Sequence, residues 1–173
     1  MQDTLTPLST ANWDADGQLE VLTFDLASET FAVEAMLVRE ILDLLPETMV
    51  PGAPPLVRSV VNFRGKIIPI ADLRLAFGMP TAENTIDSRI IVIELEMDGE
   101  PTQIGIRTDK VHEVATLFQT DAEKPPVVGM RWRREFIHEL VRQPGGLVVL
   151  PDLSAIFQSH ANESAAQVPM TIN

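Results

Sequence analysis

The sequence has no cysteine and no tyrosine, and among its 173 residues only Trp13 and Trp132 are tryptophan. Without cysteine there is no disulfide framework, thiolate metal site or cysteine nucleophile, which fits a reducing cytosol. So few aromatic residues leave a base- or sugar-stacking platform poorly supplied. Basic residues are also scarce, 13 against 25 acidic ones, for a net charge of −12. A phosphate backbone would be repelled, so nucleic-acid binding is not expected. No apolar run approaches the ~20 residues of a membrane-crossing helix. The start of the chain has Asp3 and no basic flank before an apolar segment, so it does not read as a secretory signal. Catalytic signatures are missing too: no HExxH, Walker, Gly-x-Gly-x-x-Gly or Gly-x-Ser-x-Gly pattern occurs. His112, His138 and His160 have no metal-binding spacing. Glu94 and Glu96 share one strand face, as a catalytic carboxylate pair would, but a polar outer face explains them more simply. No enzymatic activity, cofactor or metal is expected.

What is present is a β pattern. Apolar residues make up 45% of the chain, enough for a buried interior. Val60 to Arg74 organises the rest: two apolar runs flank a polar tip, Asn62 to Lys66, in which Gly65 supplies a positive φ. The tip projects Arg64, whose planar fork suits a carboxylate or paired carbonyls. The alternative is an internal brace, with Asp72 as partner. Pro69 donates no hydrogen bond, so the second strand is expected at an edge or bent. Asp72 is placed to cap a short helix, Leu73 to Phe77, ending at Gly78.

Residues 1–18 show no period and read as a mobile tail. That reading leaves Trp13 loose; docking on the body or on a partner is the alternative. Val21 to Leu26 alternates, with Leu22, Phe24 and Leu26 on one face, and turns at Ala27-Ser28-Glu29 into a hairpin continued by Phe31 and Val33. Glu34 to Leu45 fits a helix and a strand equally. Pro46 to Pro55 is a loop, Leu56 to Ser59 a helical turn, and Pro80 to Ile86 an irregular passage between lobes. Arg89 to Met97 and Gln103 to Arg107 form a hairpin about Asp98-Gly99. Val111 to Leu117 suits a bent strand, with His112 toward solvent. After a loop at 122–128, Phe136 to Val141 and Leu147 to Leu150 make another hairpin, and Asp152 caps a helix from Leu153 to Phe157. Arg131-Trp132-Arg133-Arg134 is a basic, aromatic patch that suits an acidic partner, or else a solvated loop.

About ten short strands with few helices predict an all-β protein of small barrels. The halves share a plan, and Ile68-Pro69-Ile70-Ala71-Asp72-Leu73 is echoed by Val149-Leu150-Pro151-Asp152-Leu153, which predicts a duplicated unit.

Asn62-Phe63-Arg64-Gly65, Ile68-Pro69-Ile70 and Asp72-Leu73-Arg74 together resemble the signature of the CheW-like family, coupling proteins of bacterial chemotaxis. The resemblance runs from about Leu19 to Phe157, and Gly105 with Asp109-Lys110-Val111 also matches. It implies two five-stranded SH3-like β-barrel subdomains packed side by side. The first would span about 19–80 plus the helix 152–158, the second about 87–151, with flexible tails at 1–18 and 159–173. It favours a helical turn near Ala35, then a strand through Val38 to Ile41. It also implies a scaffold, cytoplasmic and positioned at receptor arrays beneath the inner membrane. Its partners would be the regulatory domain of the histidine kinase CheA, the cytoplasmic tip of methyl-accepting chemoreceptors, and further CheW copies. Receptor contact would fall on Val38, Glu40, Asn62 and Arg64, in the groove between lobes. Kinase contact would fall on Ile41, Leu42, Leu44 and Leu45, with a second contact from Lys124 to Val128. Ser59 and Glu139 stand where the family pattern leads one to expect glycine, and with His138 and Trp132 the second lobe is atypical. A receiver domain after Phe157, as in CheV-like proteins, is not expected. The alternatives are a detached CheA regulatory module and, from another class, a small β-barrel enzyme or OB-like ligand-binding protein.

Overall fold

The computed structural model describes residues 11–129 and 132–167, with side chains described as far as His160. The first half holds β1 (Gln18–Leu26), β2 (Glu29–Glu34), β3 (Val38–Leu42), β4 (Thr48–Met49), β5 (Ser59–Phe63), β6 (Lys66–Ala71) and helix α1 (Leu73–Ala76). The second holds β7 (Arg89–Met97), β8 (Glu100–Thr108), β9 (Lys110–Phe118), β10 (Ala122–Glu123), β11 (Ile137–Gln143), β12 (Gly146–Pro151) and α2 (Leu153–Gln167). A 3₁₀ turn at Ala35–Leu37 leads into β3, so the ambiguous segment after Glu34 resolves as turn and strand. Helix α2 continues past Phe157, where it was expected to end, to Gln167.

Sheet membership does not follow the two halves. Sheet 1 has the order β3-β7-β8-β6-β5-β4, and sheet 2 the order β10-β11-β12-β2-β1-β9. Each takes four strands from one half and the opening hairpin from the other: β7–β8 joins the first half, and β1–β2 the second. The contiguous lobes expected at 19–80 and 87–151 are therefore not the units of hydrogen bonding. Each sheet has six strands rather than five: five of at least five residues, plus a two-residue edge strand, β4 or β10.

The duplication is closely repeated. Each residue from Leu56 to Leu73 is matched 80 positions later: Leu56 by Phe136, Ser59 by Glu139, Gly65 by Gly145, Asp72 by Asp152. The geometry repeats with it. Asp72 N donates to Leu56 O at 3.0 Å, and Asp152 N donates to Phe136 O at 2.8 Å. Asp72 Oδ1 caps α1 by accepting from Arg74 N at 3.1 Å, and Asp152 Oδ1 caps α2 by accepting from Ala155 N at 3.0 Å. The strand before each cap runs parallel to the exchanged hairpin, Ile70 beside Gly105 and Val148 beside Thr30.

Strand alternation divides the core into three clusters. On β7, Ile91, Ile93 and Leu95 face the large cluster between the sheets, with Leu22, Phe24, Leu26, Phe31 and Phe136. Ile90 and Val92 point the other way, into the interior of sheet 1 with Leu42, Val61, Ile68 and Ile70. Sheet 2 encloses the equivalent set: Val21, Leu117, Val141, Val148 and Leu150. β1 is thus buried on both faces, and its Thr23 hydroxyl donates to Glu113 O of β9 at 3.2 Å. The bend expected in β9 is a bulge: two steps along β1, Leu22 to Phe24, face three along β9, Val114 to Val111.

Of the two arrangements that Pro69 led us to expect for β6, an edge position or a bend, the edge position does not hold. β6 lies between β5 and β8, but β8 pairs only with Ile70 and Ala71, so Pro69 itself meets one neighbour. Gly105 of β8 leaves room for this crossing. A Cβ there would lie 2.6 Å from Ile70 Cδ1 and 2.8 Å from Ile90 Cγ2. We expect Gly105→Ala to overpack the interior of sheet 1 at about 1–3 kcal/mol, lowering the melting temperature by roughly 2–10 °C. An unchanged melting curve would show that the crossing has slack.

Candidate functional site

The tip between β5 and β6 is a two-residue turn, Arg64-Gly65, and both residues have positive φ, 53° and 78°. The turn was expected to rest on Gly65 alone; Arg64 shares it, the pattern of a type I′ hairpin. Asn62 Oδ1 accepts from Gly65 N at 3.0 Å and fixes the turn. The Arg64 side chain is 75% exposed, its guanidinium lies 4.5 Å from the centroid of the Phe63 ring, and Nη2 sits 3.4 Å from Glu40 Oε1 on β3. Asp72 is not its partner: that carboxyl caps α1 and lies 3.9 Å from Arg107.

β3 and β5 stand far apart in the strand order of sheet 1, so the Arg64–Glu40 contact records how strongly the sheet coils. The coiling gathers Glu40, Asn62 and Arg64 into one polar patch. Val38, at the start of β3, packs against the inter-sheet cluster at its margin. An exposed ion pair of this kind contributes about 0–1 kcal/mol to stability. Arg64 is therefore held in place without being tied down.

The rest of the signature is structural. Leu73 is fully buried, and Arg74, 2% exposed, pairs with Asp109. Asp109 also accepts from Ala27 N at 2.7 Å, so this pair fastens α1 to the turn of the exchanged β1–β2 hairpin. Arg74 and Asp109 both lie in stretches matched by the family pattern, and the structure gives the pair a structural role between the halves.

The apolar candidates separate by burial. Ile41 is 46% exposed, Leu42 is a core residue of sheet 1, and Leu44 and Leu45 lie half-buried against that core. On sheet 2, Val128 is exposed, as is Lys124, whose Nζ donates to His138 O at 3.2 Å.

Three other expectations change. Trp13 is not loose: its Nε1 donates to Glu139 Oε1 at 2.8 Å, and Ala11 is buried in the interior of sheet 2, so 11–17 is not a tail. Trp132 is not a surface aromatic but stacks on Phe31, with ring centroids 5.8 Å apart, and packs against Phe77. Two arginines of the basic patch have partners within the chain. Arg133 pairs with Glu135 at 2.6 Å and Arg134 donates to Pro125 O at 3.1 Å, while Arg131 lies outside the described residues. The Glu135 carboxyl is held below its usual range, first by a backbone amide hydrogen bond and then by Arg133, against some desolvation. His112 is exposed, as expected, with its Nε2 2.8 Å from Asp25 Oδ2. Glu94 lies 3.4 Å from Arg39 on the neighbouring strand, as a polar strand face should.

Ser59 and Glu139, the two positions where glycine was expected, are equivalent in the duplication. Ser59 Oγ donates to Glu47 Oε1 at 2.6 Å, and Glu47 pairs with Arg107. Each polar side chain thus has a partner within its own sheet's lobe.

The CheW-like domain model matches residues 20–161, from within β1 into α2. This chain belongs to the CheW-like family. The CheW chemotaxis protein of Rhizobium meliloti is 31% identical over 150 residues, 87% of this chain and 94% of that protein. CheW of Bacillus subtilis is 26% identical, covering 84% of this chain and 91% of that protein. Among solved structures, the scaffolding protein CheW of Thermoanaerobacter tengcongensis matches with a TM-score of 0.70 at 28% identity, covering 81% of this chain and 92% of that one. The two-sheet, mostly β fold is that of a CheW scaffold, and the chain's role is that of a chemotaxis adaptor. Among the described residues, no helix is long and apolar enough to cross a membrane.

Proposed function

We propose that this chain couples the cytoplasmic tips of chemoreceptors to the histidine kinase CheA, that it acts in the cytoplasm, and that it binds without catalysing a reaction. The observation that carries this reading is Arg64, presented 75% exposed on a type I′ turn and steadied by Glu40 and Phe63. A receptor tip is a helical hairpin, so it would lie along Val38, Glu40 and Asn62 with Arg64 as its polar anchor. The regulatory domain of CheA would meet Ile41, Leu44 and Leu45, with Leu42 supporting them from below. The loop from Lys124 to Val128 would take a second kinase domain or another CheW copy. CheW proteins matched along nine-tenths of their own length favour an adaptor over a detached kinase module. The test is to titrate the chain with each partner alone and then with both. Two separate saturable contacts that do not compete are expected. Competition for one surface would overturn the arrangement.

Ile41 and Leu42 should respond differently to the same change. Ile41→Asp should keep the fold and weaken kinase binding, since it places a carboxylate in an apolar contact. Leu42→Asp should unfold sheet 1, because that carboxylate enters the core. Circular dichroism and kinase titration of both variants check this. An Ile41→Asp protein that folds and binds CheA normally would remove β3 from the kinase contact.

A further inference from the structure

We propose that Ala11 to Trp13 forms a plug that closes the mouth of sheet 2, and that Glu139, the residue receiving it, thereby positions the docking loop from Lys124 to Val128. The proposal concerns a surface named under the proposed function and rests on that reading for its consequence, though not for its geometry. The duplication supplies the first argument. Ser59 and Glu139 are equivalent, and each is a polar residue buried in its sheet, 5% and 7% exposed. In sheet 1 the partner is Glu47, which accepts from Ser59 and pairs with Arg107. In sheet 2 a different segment supplies it: Glu139 receives the Trp13 N–H at 2.8 Å, while Ala11 enters the interior beside Leu19, Val141 and Leu150. A buried carboxyl needs a partner, and an indole N–H supplies a donor together with a large apolar body.

The segment is held at both ends. Asn12 Nδ2 donates to Glu34 Oε1 at 3.2 Å. Asp14 Oδ1 accepts from the backbone N of Asp16 and of Gln18, each at 2.9 Å, which turns the chain back along β1. Gln119 N donates to Gly17 O at 2.8 Å, tying that turn to the end of β9. The link to docking is short. Glu123 on β10 pairs with Leu140 of β11, and Lys124 donates to the carbonyl of His138, the neighbour of Glu139. Loss of the plug frees the β11 segment on which the loop is anchored.

The test uses the full chain with Trp132→Phe, so that Trp13 is the remaining indole, and measures acrylamide quenching and amide deuterium exchange. Trp13 should be shielded in this parent. Glu139→Gln keeps an acceptor and should keep the shielding. Glu139→Ala should raise quenching severalfold and speed exchange at 122–128 and 137–141, while 59–71 stays unchanged. Should Glu139→Ala fail to fold, Trp13→Phe, which loses the N–H donor and part of the indole's apolar body, should speed exchange at the same segments. The proposal is overturned if Trp13 quenches freely in the parent, or if the variants leave exchange at 122–128 unaltered. If the plug opens as described while CheA titration is unchanged, the plug stands and the second docking contact falls.

Discussion

Fragments cut within residues 80–87 should each be unfolded. The hairpin exchange makes this a stronger expectation than size does. Residues 1–80 keep β3 to β6 but lose β7 and β8, which pair with β3 and β6. They also keep β1 and β2 without β9 and β12, against which those strands pair. Val21, Phe24, Leu26, Phe31 and Val33 are all essentially inaccessible in the whole chain. Exposing each costs about 1.5–3 kcal/mol, so these five alone cost on the order of 10 kcal/mol. A domain's whole stability is about 5–15 kcal/mol. The buried Arg74–Asp109 pair adds to the loss, because the cut leaves Arg74 without its carboxylate. Circular dichroism of each fragment should show no cooperative transition, and the intact chain should melt in one step. Two separate transitions in the intact chain would contradict the exchange.

Arg64→Glu should abolish receptor-dependent kinase activation while leaving the fold and the CheA contact in place. The stability cost is small for three reasons. The side chain is 75% exposed, its contact with Glu40 is a surface pair, and the substitution keeps a non-glycine residue at the same positive φ. The loss at the partner is larger, since a guanidinium bonded to a charged group contributes about 1.5–3 kcal/mol, or roughly 10- to 150-fold in affinity. Charge reversal also sets a carboxylate beside Glu40, so Arg64→Gln is the milder control. Arg64→Lys should fall between, keeping the charge and losing the fork. Exchanging the pair, Arg64→Glu with Glu40→Arg, should restore the internal contact and leave receptor binding lost. If instead Arg64 serves as a brace, Arg64→Ala and Glu40→Ala should lower the melting temperature alike and without additivity. Unchanged receptor affinity in such proteins would remove the recognition role.

Local features were legible in the sequence. Leu22, Phe24 and Leu26 gave the inward face of β1. Asp98-Gly99 gave the turn after β7, and Asp72 and Asp152 gave the two helix caps. The echo between Ile68–Leu73 and 149–153 announced the duplication. The family resemblance resolved β3, where period alone could not. What escaped was pairing at a distance. A strand's pattern says which face is buried but not which strand lies beside it, so the crossing of β1–β2 and β7–β8 left no trace. Trp13 escaped because a single indole ahead of β1 carries no period, and its partner lies 126 positions away. Trp132 was read as surface because its neighbours are arginines, although the ring turns inward to Phe31 and Phe77. At the site, Arg64 and Asn62 stood out from the turn chemistry, but their approach to Glu40 depends on the coiling of a six-stranded sheet.

The adaptor reading is tested most directly by sedimenting receptor-tip assemblies with CheA in the presence and absence of this chain. CheA should enter the pellet only when the chain is added, its kinase activity should rise there, and both effects should vanish with Arg64→Glu while soluble binding of CheA to the chain persists. Equal amounts of CheA in the pellet with and without the chain would contradict a coupling role.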